Sequence, residues 1–560
     1  MRGSRPLYTV AFLIGLGIFI QAFALPAARS AQRQASAKPR LVIVLIIDQF
    51  RPDYLDRFGD LFGQGGFRRL IQDGALFTQA HFLHTPTFTA PGHATILTGS
   101  VPALNGIVGN YWWDYPRNTY VSSVGDPDRK LLGTDPGPAA SPHRLIGTTV
   151  GDELRLSNHD RSKVIGLSFK DRSAILPAGK RPTAAYWFHT PTGRMVSSDY
   201  YFAELPAWVK RFNAEVRPDR YFKAKWDRIL PEAAYARQGP DGSPFEIYSA
   251  YGRTFPYLIT GGDTHPGPKF YAHFEQTPFA NEYLFDFARA AIRNEQLGRD
   301  PFPDLLTISL SANDLVGHAF GPLSHEVMDL TLRTDRMIAD FLSFVEAQLG
   351  LRNVLLVLTS DHGVSPIPEQ MAARGMGRKR ILLQQISEAV ERALDARHGE
   401  DRWVVYYSNE QIYLNRPAIA AKGLDRAEVE RTAGEASLTI PGVLRYYTRT
   451  ALLSHPLPDD RVARRIQNGF FPERSGDVAL VIEPFTFVIE ESFVATTAAT
   501  HGSPYTYDTH VPIFLMGPRV RPGRYYAPCS PADIAPTLCA LLGIQPPSGA
   551  IGRVLAEAIR

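Results

Sequence analysis

Six residues whose side chains can bind metal ions stand beside apolar runs that are far apart along the chain. They are Asp48, Asp314, His318, Asp361, His362 and His501. Asp314 and His318 are four residues apart, so one helical turn can direct both toward the same side. Asp361 and His362 are adjacent and can face one site from a turn. Each residue alone is more typical of a turn, a cap or a loop, but the oxygen and nitrogen donors together suit zinc better than magnesium or calcium. The set predicts a site for two zinc-like ions.

A candidate nucleophile, Thr89, lies in residues 87–99 at the start of a predicted helix. One interpretation is that the Thr89 hydroxyl caps this helix, and spacing alone favours it. The other interpretation is that a metal ion lowers the pKa of the hydroxyl, which then attacks a substrate. The amides at the start of the helix would then help to hold an anion.

Four apolar runs could bring these residues together. The runs are residues 41–47, 305–310, 354–358 and 511–516. Consecutive apolar residues are typical of parallel strands that are buried on both faces. Helical patterns such as residues 326–349 lie between the runs, so the sequence predicts an α/β fold with a mostly parallel central sheet and helices on both faces. Ligands bind such sheets at the carboxyl ends of the strands, which is where the candidate ligands would gather.

Two stretches interrupt this alternation. Residues 180–300 are rich in Tyr, Phe, Pro and Gly, and residues 370–490 show a mixed pattern with a basic start. We interpret both as insertions or caps on one catalytic domain that spans residues 38–560. Near its end, Ser530 and Asp533 form a capping-box pattern and Gly543 is a helix stop, which together predict a last helix.

Composition excludes several classes of protein. The 560 residues contain 60 Lys plus Arg and 56 Asp plus Glu, a formal net charge of only +4. Apolar residues make up 44% and charged residues 21%, as in ordinary globular proteins. A disordered chain, a dedicated nucleic-acid-binding protein and a polybasic membrane-binding protein are therefore not expected. The composition does not indicate an oligomeric state.

The first 37 residues resemble an export signal. They contain four arginines and no acid, an apolar run at residues 10–20 and small residues in an A-x-A pattern, which is typical of a cleaved signal peptide. An uncleaved anchor is the alternative, because residues 7–25 could just span a bilayer. Either way we expect a periplasmic or secreted protein, and no membrane span in the mature chain. The oxidising compartment permits a bond between Cys529 and Cys539, although a buried free thiol is expected of Cys539.

Several motifs, taken together and in order, resemble the alkaline phosphatase superfamily. They are I-I-D-Q-F-R at 46–51, T-F-T-A-P-G-H-A-T at 87–95, G-I-V-G-N at 106–110, F-K-D-R at 169–172, N-D-L-V-G-H-A-F-G-P at 313–322, S-D-H-G at 360–363 and T-H-G-S-P-Y-T-Y-D-T-H-V-P at 500–512. The chain is similar to the branch of type I phosphodiesterases and nucleotide pyrophosphatases, and most similar there to the PafA-type secreted alkaline phosphatases. The resemblance extends from about residue 40 to about residue 545.

This resemblance implies a bimetallic zinc site that forms a phosphothreonine intermediate. One zinc ion would be held by Asp48, Asp361, His362 and Thr89, and the other by Asp314, His318 and His501. Thr89 would attack phosphorus in line, and water would then hydrolyse the phosphothreonine. We expect His93 and His510 either to have structural roles or to support the metal ligands without binding the ions.

The resemblance also implies that Asn110, Lys170 and Arg172 bind the phosphoryl group. Outside this match, a Lys-x-Arg pair is typical of a solvated surface. A phosphate monoester is nearly a dianion with three non-bridging oxygens, whereas a diester carries one charge and has one of those oxygens esterified. Two cations beside the metal ions should therefore favour monoesters, and the expected substrates are small phosphorylated molecules.

Two other functions remain open on the sequence alone. The first is a phosphodiesterase or nucleotide pyrophosphatase of the same superfamily. The second is an exported metal-binding protein without catalysis, against which the intact nucleophile and ligand set argue. A sulfatase is not expected, because the Cys or Ser followed by Pro and Arg that those enzymes need is absent around Thr89.

Overall fold

The computed structural model describes residue 3 and residues 38–135, 137–247, 252–376, 380–454, 457 and 459–560. Apart from residue 3, the predicted signal peptide lies outside these described residues. Within them, no helix combines the length and the apolar character needed to cross a membrane.

The strands of the described residues are numbered in chain order. They are β1 (Leu41–Ile47), β2 (Ala75–His81), β3 (Tyr111–Asp114), β4 (Thr119–Ser122), β5 (Gly125–Leu132), β6 (Pro138–Ala140), β7 (Val164–Ser168), β8 (Ala184–His189), β9 (Arg194–Ser198), β10 (Lys225–Trp226), β11 (Tyr257–Leu258), β12 (Asp304–Leu310), β13 (Val354–Thr359), β14 (Ile381–Leu382), β15 (Val404–Ser408), β16 (Gln411–Leu414), β17 (Val443–Thr448), β18 (Val478–Ile482), β19 (Val488–Ile489), β20 (His510–Met516) and β21 (Gly523–Tyr525).

The α-helices of the described residues are numbered in the same way. They are α1 (Asp53–Arg57), α2 (Phe67–Asp73), α3 (Thr89–Thr98), α4 (Pro102–Asn105), α5 (Val150–Ser157), α6 (Asp171–Ala178), α7 (Ala207–Glu215), α8 (Pro268–Glu275), α9 (Pro278–Asn294), α10 (Ala312–Phe320), α11 (His325–Leu349), α12 (Pro368–Ala372), α13 (Leu383–His398), α14 (Arg416–Ala421), α15 (Arg426–Ser437), α16 (Arg449–Ser454), α17 (Arg461–Gly469), α18 (Thr506–Thr509) and α19 (Ile534–Leu542).

A large mixed sheet forms the centre of the molecule. In the described part of the chain it contains eleven strands in the order β21-β2-β20-β13-β1-β12-β7-β8-β9-β5-β6. Strand β1 is parallel to both of its neighbours, β12 and β13, and β7 and β8 continue the parallel arrangement beyond β12. The predicted mostly parallel α/β sheet is confirmed.

Strand β1 explains why a run of consecutive apolar residues forms the middle of this sheet. Its odd-numbered residues from 41 to 47 belong to one hydrophobic core, which includes α9 and α11. Its even-numbered residues from 42 to 46 belong to a second core, which includes α3 and α19. Successive side chains of a strand point to opposite faces, so helices on both faces require apolar residues at every position.

The prediction for residues 511–516 is wrong in one respect. These residues form the buried strand β20, but β20 is antiparallel to both neighbours, β13 and β2. An apolar run reports that both faces of a strand are covered and carries no information about its direction. The reversal has a consequence for the site, because β20 begins at the sheet edge where β1 and β13 end.

The two predicted insertions differ in how they join the central sheet. In residues 370–490, β15, β16, β18 and β17 form a separate antiparallel sheet, and α13 and α15 pack on it in a core of their own. In residues 180–300, β8 and β9 extend the central sheet, and side chains of α7, α8 and α9 enter the first core. The division of the chain into one catalytic domain with two insertions stays a prediction.

The predicted last helix is confirmed. Ser530 and Asp533 form a reciprocal capping box over a short 3-10 turn that leads into α19, and Gly543 ends the helix in a left-handed conformation at φ 66°. Cys529 and Cys539 are both free and buried, in agreement with the thiol expected at Cys539.

Candidate active site

Four adjacent strands bring the six candidate ligands to one edge of the sheet. Asp48 follows β1, and Asp361 and His362 follow β13. Asp314 and His318 lie in α10, which begins two residues after β12. His501 precedes β20, whose antiparallel direction brings the start of this strand to the edge where the parallel strands end. The topology therefore assembles residues that are up to 453 positions apart in the chain.

The candidate ligand atoms are close to one another, and they belong to buried side chains except for the partly exposed His318. His318 Nε2 and His501 Nε2 lie 3.2 Å and 3.5 Å from Asp314 Oδ1. His362 Nε2 lies 3.5 Å from Asp48 Oδ1 and 3.4 Å from Asp361 Oδ2. The rings of His362 and His501 are stacked, with centroids 3.5 Å apart. The two groups of side chains therefore share one compact site.

Backbone carbonyl groups fix the orientation of all three histidines. Nδ1 of His318 is 2.7 Å from the Ala499 carbonyl oxygen, and Nδ1 of His501 is 2.8 Å from that of Thr87. Nδ1 of His362 is 3.0 Å from the carbonyl oxygen of Gly363. Because a carbonyl oxygen only accepts, each Nδ1 must carry the proton. In the neutral imidazole each Nε2 then presents a lone pair to the site, which is the tautomer that a metal ligand requires. The Asp314 carboxylate raises the pKa of His318, so a bound metal ion would have to displace a proton there.

The donor set fits metal ions. Asp48 Oδ1 and His362 Nε2 are buried and have no hydrogen-bond partner in the described residues, and buried polar atoms seldom remain unpaired. Donor atoms within 4.8 Å of one another form two overlapping groups. These are Asp314, His318 and His501, and Asp48, Asp314 and His362. Carboxylate oxygens with imidazole nitrogens are ligands of the zinc type.

These two groups overlap only in part with the predicted ligand sets. The first group is the predicted set for one ion. The second contains Asp314 in place of Asp361, whose Oδ2 lies 3.1 Å from His93 Nδ1. Asp314 thus lies between the two groups, and the assignment of each ligand to one ion stays a prediction.

Burial and neighbouring charges set the protonation of the site. Burial lowers the pKa of His362 to about 3 and also lowers the pKa of His501, so both imidazoles are neutral, as metal binding requires. Burial, together with the carboxylates of Asp314 and Asp361, holds the pKa of Asp48 well above its usual range. Carboxylates that oppose each other's ionisation in a buried site favour the binding of cations.

Thr89 is the first residue of α3 and is buried. The cap position belongs to Phe88, whose backbone is extended, and no side chain caps this helix. The interpretation of Thr89 as a helix cap is therefore wrong, because the helix begins one residue earlier than that interpretation requires. The hydroxyl of Thr89 is not used in capping.

Asn110 supports the start of the same helix. Its Oδ1 accepts a hydrogen bond from the backbone N–H of Ala90 at 2.9 Å. The next residue, Pro91, has no N–H to satisfy. Since the amide oxygen of Asn110 is engaged, its NH2 group is the part of the side chain that remains as a donor for an anion.

Lys170 and Arg172 stand at the start of α6, which follows β7 and packs against α3. Lys170 Nζ is 2.7 Å from Asp48 Oδ2 and 2.5 Å from Asp314 Oδ2. Burial alone would lower the pKa of Lys170, but these two carboxylates outweigh it and raise the pKa. Arg172 Nε is buried without a hydrogen-bond partner in the described residues. The structure thus brings Lys170 to two of the candidate ligand carboxylates.

Sequence reasoning assigned His93 and His510 to supporting positions. His93 is buried, with Nδ1 2.8 Å from the Thr89 carbonyl oxygen and Nε2 2.8 Å from Ser309 Oγ. It therefore connects the start of α3 to β12. His510 instead stacks on His81 across β2 and β20, with ring centroids 4.5 Å apart, and none of its described contacts reaches the candidate ligands.

Gln49 was missed by sequence reasoning. It follows Asp48 and hydrogen bonds to two of the candidate ligands, Asp314 and Asp361. The available signal was Gly317, a glycine inside the helix between Asp314 and His318, which marks a close approach by another group.

The chain resembles known proteins over nearly all of its length. Residues 42–504 match the family described as type I phosphodiesterase / nucleotide pyrophosphatase. The chain is 37% identical to the alkaline phosphatase PhoV of Synechococcus elongatus over 533 residues, which are 94% of each chain. It is 35% identical to the alkaline phosphatase PafA of Elizabethkingia meningoseptica over 94% of this chain and 95% of that one. It is 36% identical to a Myroides odoratus protein named calcium-transporting ATPase over 93% and 95% of the two chains.

Solved structures agree with the sequence comparison. The crystal structure of wild-type PafA matches with a TM-score of 0.86 at 34% identity, and covers 93% of this chain and 99% of that one. A PafA variant with one Thr, one Asn, one Lys and one Arg substituted matches equally well.

Proposed function

Because the chain belongs to the type I phosphodiesterase/nucleotide pyrophosphatase family, we propose that it is an exported, zinc-dependent alkaline phosphatase that hydrolyses phosphate monoesters through a phosphothreonine. The observation that carries the proposal is a set of three histidines with fixed Nδ1 atoms, whose Nε2 atoms face three buried carboxylates. His362 and His501 are buried, and His318 is partly exposed. The names of PhoV and PafA support the activity.

Asp48, Asp361, His362 and Thr89 would hold one zinc ion, and Asp314, His318 and His501 would hold the other. When bound, these ions would supply Lewis-acid stabilisation of the attacking and leaving oxygens. Two hydrogen-bond contacts position Thr89 for its role as nucleophile. The His93 contact with the Thr89 carbonyl oxygen and the Asn110 contact with Ala90 N hold the first turn of α3.

Thr89 Oγ would form a bond to phosphorus while the bond from phosphorus to the leaving oxygen breaks. Water would then displace Thr89, which releases inorganic phosphate and restores the hydroxyl. The Asn110 amide, the Lys170 ammonium and the Arg172 guanidinium would bind the non-bridging oxygens and orient the phosphoryl group for in-line attack. The PafA variant with a substituted Thr, Asn, Lys and Arg supports the assignment of four such residues.

The two cations also suggest the substrate class. A monoester dianion can engage both Lys170 and Arg172, whereas a diester has one fewer free oxygen and one fewer charge. A charge-assisted hydrogen bond contributes about 1.5–3 kcal/mol. We therefore expect the double variant Lys170→Ala/Arg172→Ala to lose at least about 100-fold in kcat/KM for an aryl monoester, and markedly less for the matched diester.

The control is Lys210→Ala/Arg211→Ala, which removes an adjacent exposed Lys and Arg from α7. Their hydrogen bonds are to Glu204 and Asn294, which are not site residues. Both substrates are assayed before chelation, after chelation and after zinc is returned, with ATP as a third substrate because one relative is named an ATPase. Equal losses for monoester and diester would favour the phosphodiesterase alternative. No zinc-dependent release of phosphate from any substrate would favour a non-catalytic metal-binding protein.

A further inference from the structure

Gln49 has an unusual backbone conformation next to the candidate ligand Asp48. Its φ is 63°, in the left-handed region, which few residues with a β-carbon adopt. Two contacts hold this turn. Phe50 N donates to Ser360 Oγ at 2.8 Å, and Asn313 Nδ2 donates to the Asp48 carbonyl oxygen at 2.8 Å. A costly conformation persists where the surroundings determine it, and such positions cluster at functional sites.

The turn directs Gln49 at one carboxylate from each predicted ligand set. Its backbone N–H donates to Asp361 Oδ1 at 3.1 Å, and its side-chain Nε2 donates to Asp314 Oδ1 at 2.8 Å. A carboxylate oxygen has two lone pairs, so Asp314 Oδ1 can accept this bond and still face His318. Gln49 is 1% exposed, so water does not compete for these bonds.

Helix α10 leaves room for the Gln49 side chain at one position. A β-carbon added to Gly317 would lie 1.8 Å from Gln49 Oε1. Gly317 is in the same helix as Asp314 and His318, so the helix that carries these two ligands packs directly on the Gln49 amide. A glycine in a helix interior costs about 1 kcal/mol relative to alanine, and the close approach of Gln49 accounts for its presence here.

We infer that Gln49 is a positioning residue that fixes the carboxylates of Asp361 and Asp314 relative to each other, and so couples the two ion sites. This inference rests on the bimetallic site of the proposed function. Hydrogen-bond partners of metal ligands typically change metal affinity or activity 10–100-fold when they are removed. Because Gln49 bonds to both sets, its loss should alter how the second ion binds once the first is present.

The direct test is Gln49→Met in the full chain, which keeps the backbone N–H and a side chain of similar length but removes the Nε2 donor. Metal-free protein is titrated with Co2+, and the ligand-field absorption gives the affinity and geometry at each ion. We expect a 10–100-fold loss of affinity for one of the two ions, with a changed spectrum for that ion. Wild-type affinities and an unchanged spectrum would overturn the inference.

Two further variants separate positioning from general stability. Gly317→Ala should displace the Gln49 amide, since the contact is with the end of a flexible side chain, and should weaken the same ion even if Gln49→Met does not fold. Gln411→Met removes a different buried glutamine, whose Oε1 accepts from Gly476 N at 2.7 Å. It should lower thermal stability without changing Co2+ affinity. An effect of Gln411→Met on Co2+ affinity equal to that of Gln49→Met would also overturn the inference.

The Co2+ titration does not depend on turnover. A wild-type protein that binds two ions but hydrolyses no phosphate ester would contradict the proposed function and leave the role of Gln49 to be decided by its variants. A phosphatase whose two ion affinities are unaffected by Gln49→Met would contradict only the role of Gln49.

Discussion

At the scale of single residues, the site depends on contacts that select one atom of each side chain. A carbonyl oxygen at Nδ1 commits each histidine to one tautomer, and Gln49 engages one oxygen of Asp314 and one of Asp361. The candidate ligand residues could be predicted from the sequence because they stand beside apolar runs. The contacts that orient them could not, because their partners are backbone carbonyls of residues such as Ala499 and Thr87, whose side chains carry no signal for this role.

Thr89 gives the sharpest prediction at this scale. Thr89→Ala should lower kcat for an aryl phosphate by at least about 1,000-fold, because it removes the proposed nucleophile. Thr89→Ser keeps a hydroxyl and should retain a measurable rate. When the Thr89→Ser variant is quenched with acid during turnover, it should carry a phosphoryl group at position 89. Mass spectrometry of the tryptic peptide detects this group.

Thr95 provides the matched control in the same helix. It is buried, and its hydroxyl has no hydrogen-bond partner in the described residues. Thr95→Ala should therefore keep both activity and stability close to wild type. A Thr89→Ala variant as active as Thr95→Ala would remove Thr89 from the mechanism.

At the scale of elements, the direction of β20 decides whether His501 can join the other candidate ligands. In a parallel strand, a residue that precedes the strand lies at the edge opposite to its carboxyl end. His501 precedes β20 and still reaches Asp314, because β20 is antiparallel to β13. The run of apolar residues predicted the strand and its burial, but strand direction depends on long-range pairing with β13 and β2, which a local pattern does not encode.

Helix α3 must lie close to the end of β13 for Thr89 to approach Asp361 and His362. Gly92 makes this possible, because a β-carbon there would lie 2.1 Å from the Asp361 carbonyl oxygen. The obstacle is backbone, so it cannot move aside as a side chain can. Gly92→Ala should destabilise the protein by about 1–3 kcal/mol and should lower kcat by moving the first turn of α3. Chemical denaturation and steady-state kinetics measure the two effects.

Gly59→Ala is the control for this substitution. Nothing lies within 4 Å of a β-carbon added to Gly59, so this variant should be as stable as wild type or slightly more stable. If Gly92→Ala behaved like Gly59→Ala, the close approach of α3 to β13 would not be needed for either stability or activity.

At the scale of the whole molecule, acidic and basic residues nearly balance in number, but several of the acidic residues are buried. The formal net charge is only +4, yet carboxylates are concentrated in the interior, both in the site and beside it. Glu410, at the turn between β15 and β16, lines a cavity together with His501 and Asp508. Burial and the Asp508 carboxylate raise the pKa of Glu410 to about 8. Its Oε2 has no hydrogen-bond partner among the described residues. The inserted sheet thus brings to the main body an acid whose pKa is raised there.

The stability of the folded chain should therefore fall as the pH rises from about 4.5 to about 8. An unfolded glutamate ionises near pH 4.5, so between that value and about 8 the folded state binds more protons than the unfolded state at Glu410. Under that condition the free energy of unfolding falls as pH rises and levels off above the folded-state pKa. Glu410→Gln is neutral at every pH and should be more stable than wild type by more than about 1 kcal/mol near pH 9, with no such gain near pH 4. Denaturant titrations of the zinc-loaded protein across this range measure the difference.

The control is Glu400→Gln, which changes an exposed glutamate. Its free energy of unfolding, plotted against pH, should run parallel to that of wild type. A Glu410→Gln plot that also runs parallel to wild type would show that Glu410 ionises in the folded state as it does in the unfolded state.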